Sequence, residues 1–228
     1  MGVFEWSIEA ENKWNRMAES WNSRSREMWE SGSRKDIVPF IKKHVPAGSK
    51  IADLGCGDGY GSFLLSQSGY HVTGMDVSEE MIQFASQRAG NEGPQFLKGD
   101  IANTGFPQSS FDALVAINCL EWTESPLAGL REMSRIVKDG GLAAIGILGP
   151  TAAPREHSFS RLLGEKVVCN TMMPWEFEKL ALDAGWQKKS EIGVYKKASE
   201  RLPLESIPLE LKQAVSFMWV FLLQKGSV

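Results

Sequence analysis

The stretch Ile51-Ala52-Asp53-Leu54-Gly55-Cys56-Gly57-Asp58-Gly59-Tyr60-Gly61 holds the densest set of residues able to handle a small ligand. An apolar run feeds a glycine-rich turn and then a helical pattern. A turn without β-carbons lets backbone come close to a ligand at the carboxyl edge of a sheet. A tight strand-to-helix turn is itself a sufficient reason for glycine, so the loop alone is weak evidence. The dinucleotide fingerprint G-x-G-x-x-G fails here: begun at Gly55 it needs glycine or alanine where Tyr60 stands, and begun at Gly57 where Ser62 stands. Asp53, a carboxylate ahead of the loop, suits an ammonium group better than a pyrophosphate. Asp76 closes the next apolar run, 21 residues after Gly55, where a carboxylate can accept both hydroxyls of a ribose. Val77 and Met81 follow and can flank an adenine ring. Asp100, within Gly99-Asp100-Ile101, can accept from an adenine amino group while the next backbone N–H serves a ring nitrogen. Each Asp alone also reads as a helix cap or turn former. Together, at successive strand ends, they specify an adenosine-like ligand with a free diol.

The elements that must position these residues follow from periodicity. Short apolar runs at Lys50–Leu54, Tyr70–Met75, Gln95–Lys98, Phe111–Asn118 and Leu142–Leu148 alternate with helical patterns at Tyr60–Gln67, Ser78–Arg88 and Leu127–Val137. Ser78 followed by Glu79-Glu80 marks a helix start, and Lys138-Asp139-Gly140-Gly141 reads as a glycine helix stop. Strand alternating with helix at this pace predicts right-handed crossovers and a mainly parallel sheet covered on both faces. Beyond Pro150 a long connection runs through Arg161. Pro174–Ala184 then reads as a helix, Trp186–Lys196 as a strand, and Ala214–Lys225 as a second strand, with a buried helix as its alternative. Two such late strands predict an antiparallel terminal pair.

Ahead of this core, Trp6, Trp14, Trp21 and Trp29 recur at spacings of eight, seven and eight, one broad face of a helix over about Ile8–Glu30. That stripe is either ordinary packing on the main domain or a lid over a ligand pocket; the two are compatible. Ser31-Gly32-Ser33 then breaks the chain before a second helix, Arg34–His44, that ends at Val45-Pro46-Ala47-Gly48.

The 228 residues can bury a core without staples, and 43% apolar with 23% charged residues excludes a disordered chain. Lys+Arg 25 against Asp+Glu 28 gives a net charge of −3, too near neutral for sequence-independent binding of nucleic acid. Lys188-Lys189, Lys196-Lys197 and Arg201 form only a modest basic patch, which reads as a solvated face. Cys56, Cys119 and Cys169 lie far apart, with neither zinc spacing nor a disulfide framework, so no metal is expected and a reducing, cytoplasmic setting is. The start MGVFEWSIEAENKWN has no secretory h-region and no myristoylation pattern at Met1-Gly2, and the longest apolar run is about half a membrane span.

Ile51–Gly61, Gly74-Met75-Asp76-Val77-Ser78, Lys98-Gly99-Asp100-Ile101 and Phe111–Ala116 together resemble the ordered motifs of class I S-adenosylmethionine-dependent methyltransferases. Leu130–Gly141 is similar to the corresponding helix and turn in the branch that includes ubiquinone and menaquinone biosynthesis enzymes. The resemblance covers Lys50–Gly149. It implies an α/β fold, a Rossmann-like, mostly parallel seven-stranded sheet with helices on both faces, its last strand antiparallel, and an N-terminal helical cap. Residues 1–48 would form the cap and 49–228 the cofactor-binding domain, with core motifs in 50–149 and a substrate-side elaboration in 150–185. The implied cofactor is S-adenosylmethionine, leaving as S-adenosylhomocysteine. Asp53 and Gly55 would meet its amino acid part above a floor of Cys56 and Gly57. Asp76 would hold the ribose, Val77 and Met81 the adenine, and Asp100 with Ile101 its edge. Asn118-Cys119 would lie beside the reactive methyl.

The implied reaction is methyl transfer to a small-molecule acceptor, an in-line displacement that alignment and exclusion of water accelerate without a nucleophilic triad. Weak candidates for a base are Glu121 and His157, with His44 and His71 behind them. Many relatives carry His where this chain has Glu121-Trp122. Acceptor contacts are expected from the Trp stripe, the segment after Gly149 and Thr171-Met172-Met173-Pro174-Trp175, whose aromatic and Met side chains suggest a neutral, fairly apolar molecule. Trp175 alternatively staples a helix start. The competing readings are a non-catalytic module that binds the same cofactor, a nicotinamide-dependent oxidoreductase, and an RNA or protein methyltransferase; net charge and the lack of an appended binding domain disfavour the last.

Overall fold

A computed structural model describes residues 4–90 and 93–226. The N-terminal Met1-Gly2 lies outside these residues. Seven strands form one sheet: β1 (Lys50–Leu54), β2 (His71–Asp76), β3 (Gln95–Lys98), β4 (Phe111–Ile117), β5 (Val137–Leu148), β6 (Trp186–Val194) and β7 (Met218–Lys225). Their spatial order is β3-β2-β1-β4-β5-β7-β6. The first five run parallel, and β7 lies antiparallel between β5 and β6. Among the described residues seven α-helices surround the sheet: α1 (Trp6–Glu30), α2 (Ile37–His44), α3 (Tyr60–Gln67), α4 (Glu79–Ala89), α5 (Pro126–Ile136), α6 (Pro174–Asp183) and α7 (Leu209–Ala214).

Alternation along each strand divides the interior into two layers. Leu54, Leu114, Ala116, Ile145 and Phe221 pack with Leu130 and Met133 of α5 and Phe177 of α6. Ile51, Val72, Val115, Val220 and Leu222 pack on the opposite face with Ile37 and Ile41 of α2 and Leu65 of α3. β7 is buried on both faces, which is why its sequence is continuously apolar. It is a strand, but it begins at Met218; the chain just before it, Leu209–Ala214, is helical.

Local chemistry sets the helix starts. The Ser78 hydroxyl accepts from the Met81 N–H at 3.1 Å at the head of α4, and Ser125 accepts from Ala128 at 3.2 Å at the head of α5, where Pro126 follows. The Lys138–Gly141 stretch does not cap a helix. α5 ends at Ile136, and β5 begins at once with Val137 opposite Phe111; an irregularity then carries the register to Leu142 opposite Ala113, with Gly140 at φ 72°. The connection after Gly149 is not irregular either: Ala153–Leu163 winds into 3-10 turns. No described helix is long and apolar enough to cross a membrane.

Candidate functional site

The carboxyl ends of β1, β2 and β4 and the chain leaving β3 open into one cavity of about 580 Å³, roofed by the first half of α1. Its size is that of a pocket for an organic ligand. Gly55 and Gly57 form part of the wall. Gly55 sits at φ 69° with its α-carbon against the Cys119 side chain, and Gly57 at φ 56° leaves room where a β-carbon would lie 3.2 Å from Trp21 Nε1. Both positions need glycine for conformation and for clearance.

Asp76 reaches the cavity from the end of β2. Its Oδ2 accepts from the Gly57 N–H and its Oδ1 from the Ser78 N–H, both at 2.9 Å. Burial pushes its pKa up, while those backbone donors pull it down. A carboxylate has about four acceptor sites, so each oxygen can take a further bond from a ligand. Val77, Met81, Asp100, Ile101, Asn118 and Cys119 complete the part of the wall that the sequence singles out. The Cys119 thiol is raised well above its ordinary range by burial first, then by the Glu121, Asp53 and Asp76 charges, so it stands as a neutral group.

Two expected residues do not line the cavity. Asp53 is buried behind it, its Oδ2 accepting from the Ser62 hydroxyl at 2.5 Å, and burial lifts its pKa to about 6 despite that bond. The Cys56 side chain turns toward β2, where a β-carbon on Gly74 would come 3.0 Å from its sulfur.

The base candidates lie elsewhere. Glu121 is fully buried beneath the 3-10 turn Leu120–Trp122, where its Oε1 accepts the Leu148 N–H and its Oε2 has no partner; burial raises its pKa. His157 is exposed on the 3-10 segment, its ring 6.2 Å from that of Trp122. His71 begins β2 at the opposite edge of the sheet, and His44 packs on Phe40 at the end of α2.

The segment expected to meet the acceptor is also held away. Arg155 donates to the carbonyls of Leu148, Gly149, Thr171 and Met172, which ties the post-β5 chain to itself. Pro150, Thr171 and Met173 line a separate open depression with Lys196, and Trp175 lies outside both cavities. Lys188, in the basic patch, is neutralised by Glu178 at 2.6 Å and Glu191 at 3.1 Å.

The Trp stripe packs on the main domain, and part of it also borders the cavity. Trp6, Trp14 and Trp21 line the cavity, whereas Trp29 packs against Gly61 of α3. Trp14 meets Trp21 edge-on at 5.8 Å and Trp122 at 5.3 Å, and Trp6 Nε1 donates to the Trp122 carbonyl at 2.6 Å.

Arg34 is the residue that sequence reasoning passed over. It is 5% exposed, yet among the described residues it makes no salt bridge. Its guanidinium donates to Asn118 Oδ1 and Met28 Sδ, each at 3.3 Å, and lies 4.9 Å from the centre of the Trp21 ring. Burial draws its pKa down to about 10, against the Asp58 and Glu121 charges. The guanidinium stands behind two cavity-lining residues, Asn118 and Trp21. The only local signal was a cation just after the Ser31-Gly32-Ser33 break.

Residues 52–145 match the family model described as a methyltransferase domain. That match spans the strands and loops that wall the cavity and makes this part of the chain similar to methyltransferase domains. The chain is 37% identical over 100 residues to a demethylmenaquinone methyltransferase of Clavibacter sepedonicus, a match covering 43% of this chain and 41% of that one. It is 32% identical over 102 residues to a malonyl-[acyl-carrier protein] O-methyltransferase of Pectobacterium atrosepticum, covering 45% of this chain and 40% of that one. The chain thus spans less than half the length of these curated relatives. Among solved structures, an S-adenosylmethionine-dependent methyltransferase from Methanosarcina mazei superposes with a TM-score of 0.65 at 19% identity, over 83% of this chain and 98% of that one. The [4+2]-cyclase SpnF superposes at 0.73 with 15% identity, over 97% of each chain. At these identities the structural likeness speaks for the methyltransferase fold alone.

Proposed function

We propose that this protein transfers the methyl group of S-adenosylmethionine to a small molecule, in the cytoplasm, with 1–48 serving as a cap on the catalytic domain 49–228. The observation that carries this reading is the convergence of Gly55 and Gly57, Asp76, Asp100 and Asn118-Cys119, from the ends of four strands, on one cavity. The residues fit the cofactor. Asp76 keeps acceptor capacity for the ribose hydroxyls, Val77 and Met81 offer apolar surface to adenine, and Ile101 with Asp100 its edge. Arg34, with Asn118, takes the methionine carboxylate and so relieves an unpaired buried charge. Asp53, buried behind Gly55 and Cys56, would bear on the amino acid end of the cofactor only through that loop.

When bound, the cofactor supplies a methyl already activated by its sulfonium. The chain's share is to orient donor and acceptor and to keep water out beneath Trp6 and Trp14. No base is assigned, because Glu121 and His157 do not face the cavity. The likeness to SpnF, a [4+2]-cyclase, favours a second reading: the cofactor binds but another reaction follows. Release of S-adenosylhomocysteine across a metabolite panel separates the two. Binding is tested by calorimetry with S-adenosylhomocysteine. Asp76→Ala should weaken it by about 1–3 kcal/mol, the cost of a diol left without its acceptor. An unchanged affinity removes Asp76 from the site, and no binding to the parent protein overturns the reading.

A further inference from the structure

We infer that the methyl acceptor is an amine carried on an apolar frame and taken up in its positively charged form. The inference rests on the proposed function and concerns the part of the cavity that the cofactor leaves free. That part is walled by Phe4, Trp6 and Trp14 beneath α1 and by Trp122 after β4, with Glu5 and Glu124 among the lining residues. Both glutamates are exposed, so they stand at the mouth. Among the described residues no lysine, arginine or histidine lines the cavity, Arg34 standing behind Asn118 and Trp21, and the charged lining side chains are Glu5, Asp76, Asp100 and Glu124. Lys13 lies 4.5 Å over the Trp122 ring and Lys166 5.6 Å over Phe4, but neither reaches the wall.

Two consequences follow from this wall. With Arg34 engaged by the cofactor, an acceptor bearing a carboxylate or phosphate would meet no cation in the lining and two carboxylates to repel it. An ammonium group gains instead from the same carboxylates and from the faces of aromatic rings. For transfer the ammonium group must first lose a proton, which passes to Glu5 or Glu124 and on to water. The freed nitrogen lone pair then forms the new N–C bond, the S–C bond breaks with its electron pair remaining on sulfur, and the products are the N-methylammonium ion, which carries the positive charge the sulfonium gives up, and S-adenosylhomocysteine.

The test uses the full chain saturated with S-adenosylhomocysteine, whose own binding is measured first. Arylalkylamines are titrated by calorimetry beside their neutral and acidic counterparts: 2-phenylethylamine, 2-phenylethanol and phenylacetate, then tryptamine, tryptophol and indole-3-acetate. Within a series the amine is expected to bind at least tenfold more tightly than the acid. Glu5→Gln with Glu124→Gln should cut amine affinity several-fold and leave the alcohol and S-adenosylhomocysteine unchanged. An acid that binds as well as its amine, no amine binding at all, or amine affinity untouched by the double substitution overturns the inference while leaving the methyltransferase reading standing. Failure of S-adenosylhomocysteine itself to bind overturns both.

Discussion

The two halves of α1 share one tryptophan repeat and do different work. From Ala18 to Glu30 the helix is fastened: Ser25 Oγ donates to the buried Asp58 at 2.5 Å, and Asp58 also takes Arg88 at 2.7 Å. Arg88 reaches on to Asn22 at 2.8 Å, and the Tyr60 hydroxyl donates to Glu30 at 2.5 Å. From Trp6 to Met17 the helix spans the cavity and is held by the Trp6–Trp122 bond, by the Ser78 hydroxyl bonded to Asn15 Oδ1 at 2.6 Å, and by the surface pair Glu11–Lys98 at 2.7 Å. The half over the cavity is thus held by part-buried and surface bonds, and the other half by a buried carboxylate shared between Ser25 and Arg88.

Removing the fastening should have the largest effect. Asp58→Ala leaves Arg88 and Ser25 without their shared acceptor in a buried setting, and a loss of about 3 kcal/mol in urea unfolding is expected. A loss below about 1 kcal/mol would place both halves on the same footing. Titration should then loosen the halves at opposite ends of the pH scale. The Tyr60 hydroxyl, and Arg26 after it, hold the Glu30 carboxyl below its ordinary range. A depressed carboxylate contributes stability that is full above its unfolded pKa and is lost as pH falls through the folded one, so acid frees the C-terminal half. Glu11 holds the Lys98 ammonium above its ordinary range. A raised lysine contributes below its unfolded pKa and loses that contribution as pH climbs through the folded one, so alkali frees the N-terminal half. Fluorescence of Trp29→Phe and Trp6→Phe variants, followed from pH 7 downward and upward, reads the two events separately; simultaneous release of both halves at either end contradicts the scheme. The smallest effect is expected from Glu11→Ala. Its surface pair adds well under about 1 kcal/mol to global stability, yet amide exchange should quicken across Trp6–Met17 and not beyond Ala18.

Much of this was legible in the chain. β1 and β3 begin and end where alternation put them, and β2, β4 and α4 differ by a residue or so, because caps such as Ser78 and apolar alternation act over a few residues. The cavity wall from Gly55 to Cys119 was legible for the same reason: each residue lies at the end of a strand whose direction the pattern specifies. The errors share another cause. Lys138–Gly141 looks like a helix stop because glycine serves bulges and caps alike, and only pairing with β4 distinguishes them. Glu121 looked available because nothing local shows that the Leu148 N–H, 27 residues on, claims it. The Thr171–Trp175 stretch looked free to reach a ligand until Arg155 is seen to bind its carbonyls.

The residues alone determined that strands and helices alternate, that glycines and aspartates stand at successive strand ends, and that a tryptophan face precedes them. Those features need only rise per residue, β-carbon direction and capping. Folding decided which distant groups meet: Trp6 with Trp122 across 116 residues, and Arg34 with Asn118 across 84. Whether a tryptophan becomes a roof or a wedge, and whether an arginine is solvated or left buried without a counter-charge, depends on what the rest of the chain places beside it. No local pattern carries that information, because burial is a property of the assembled layers.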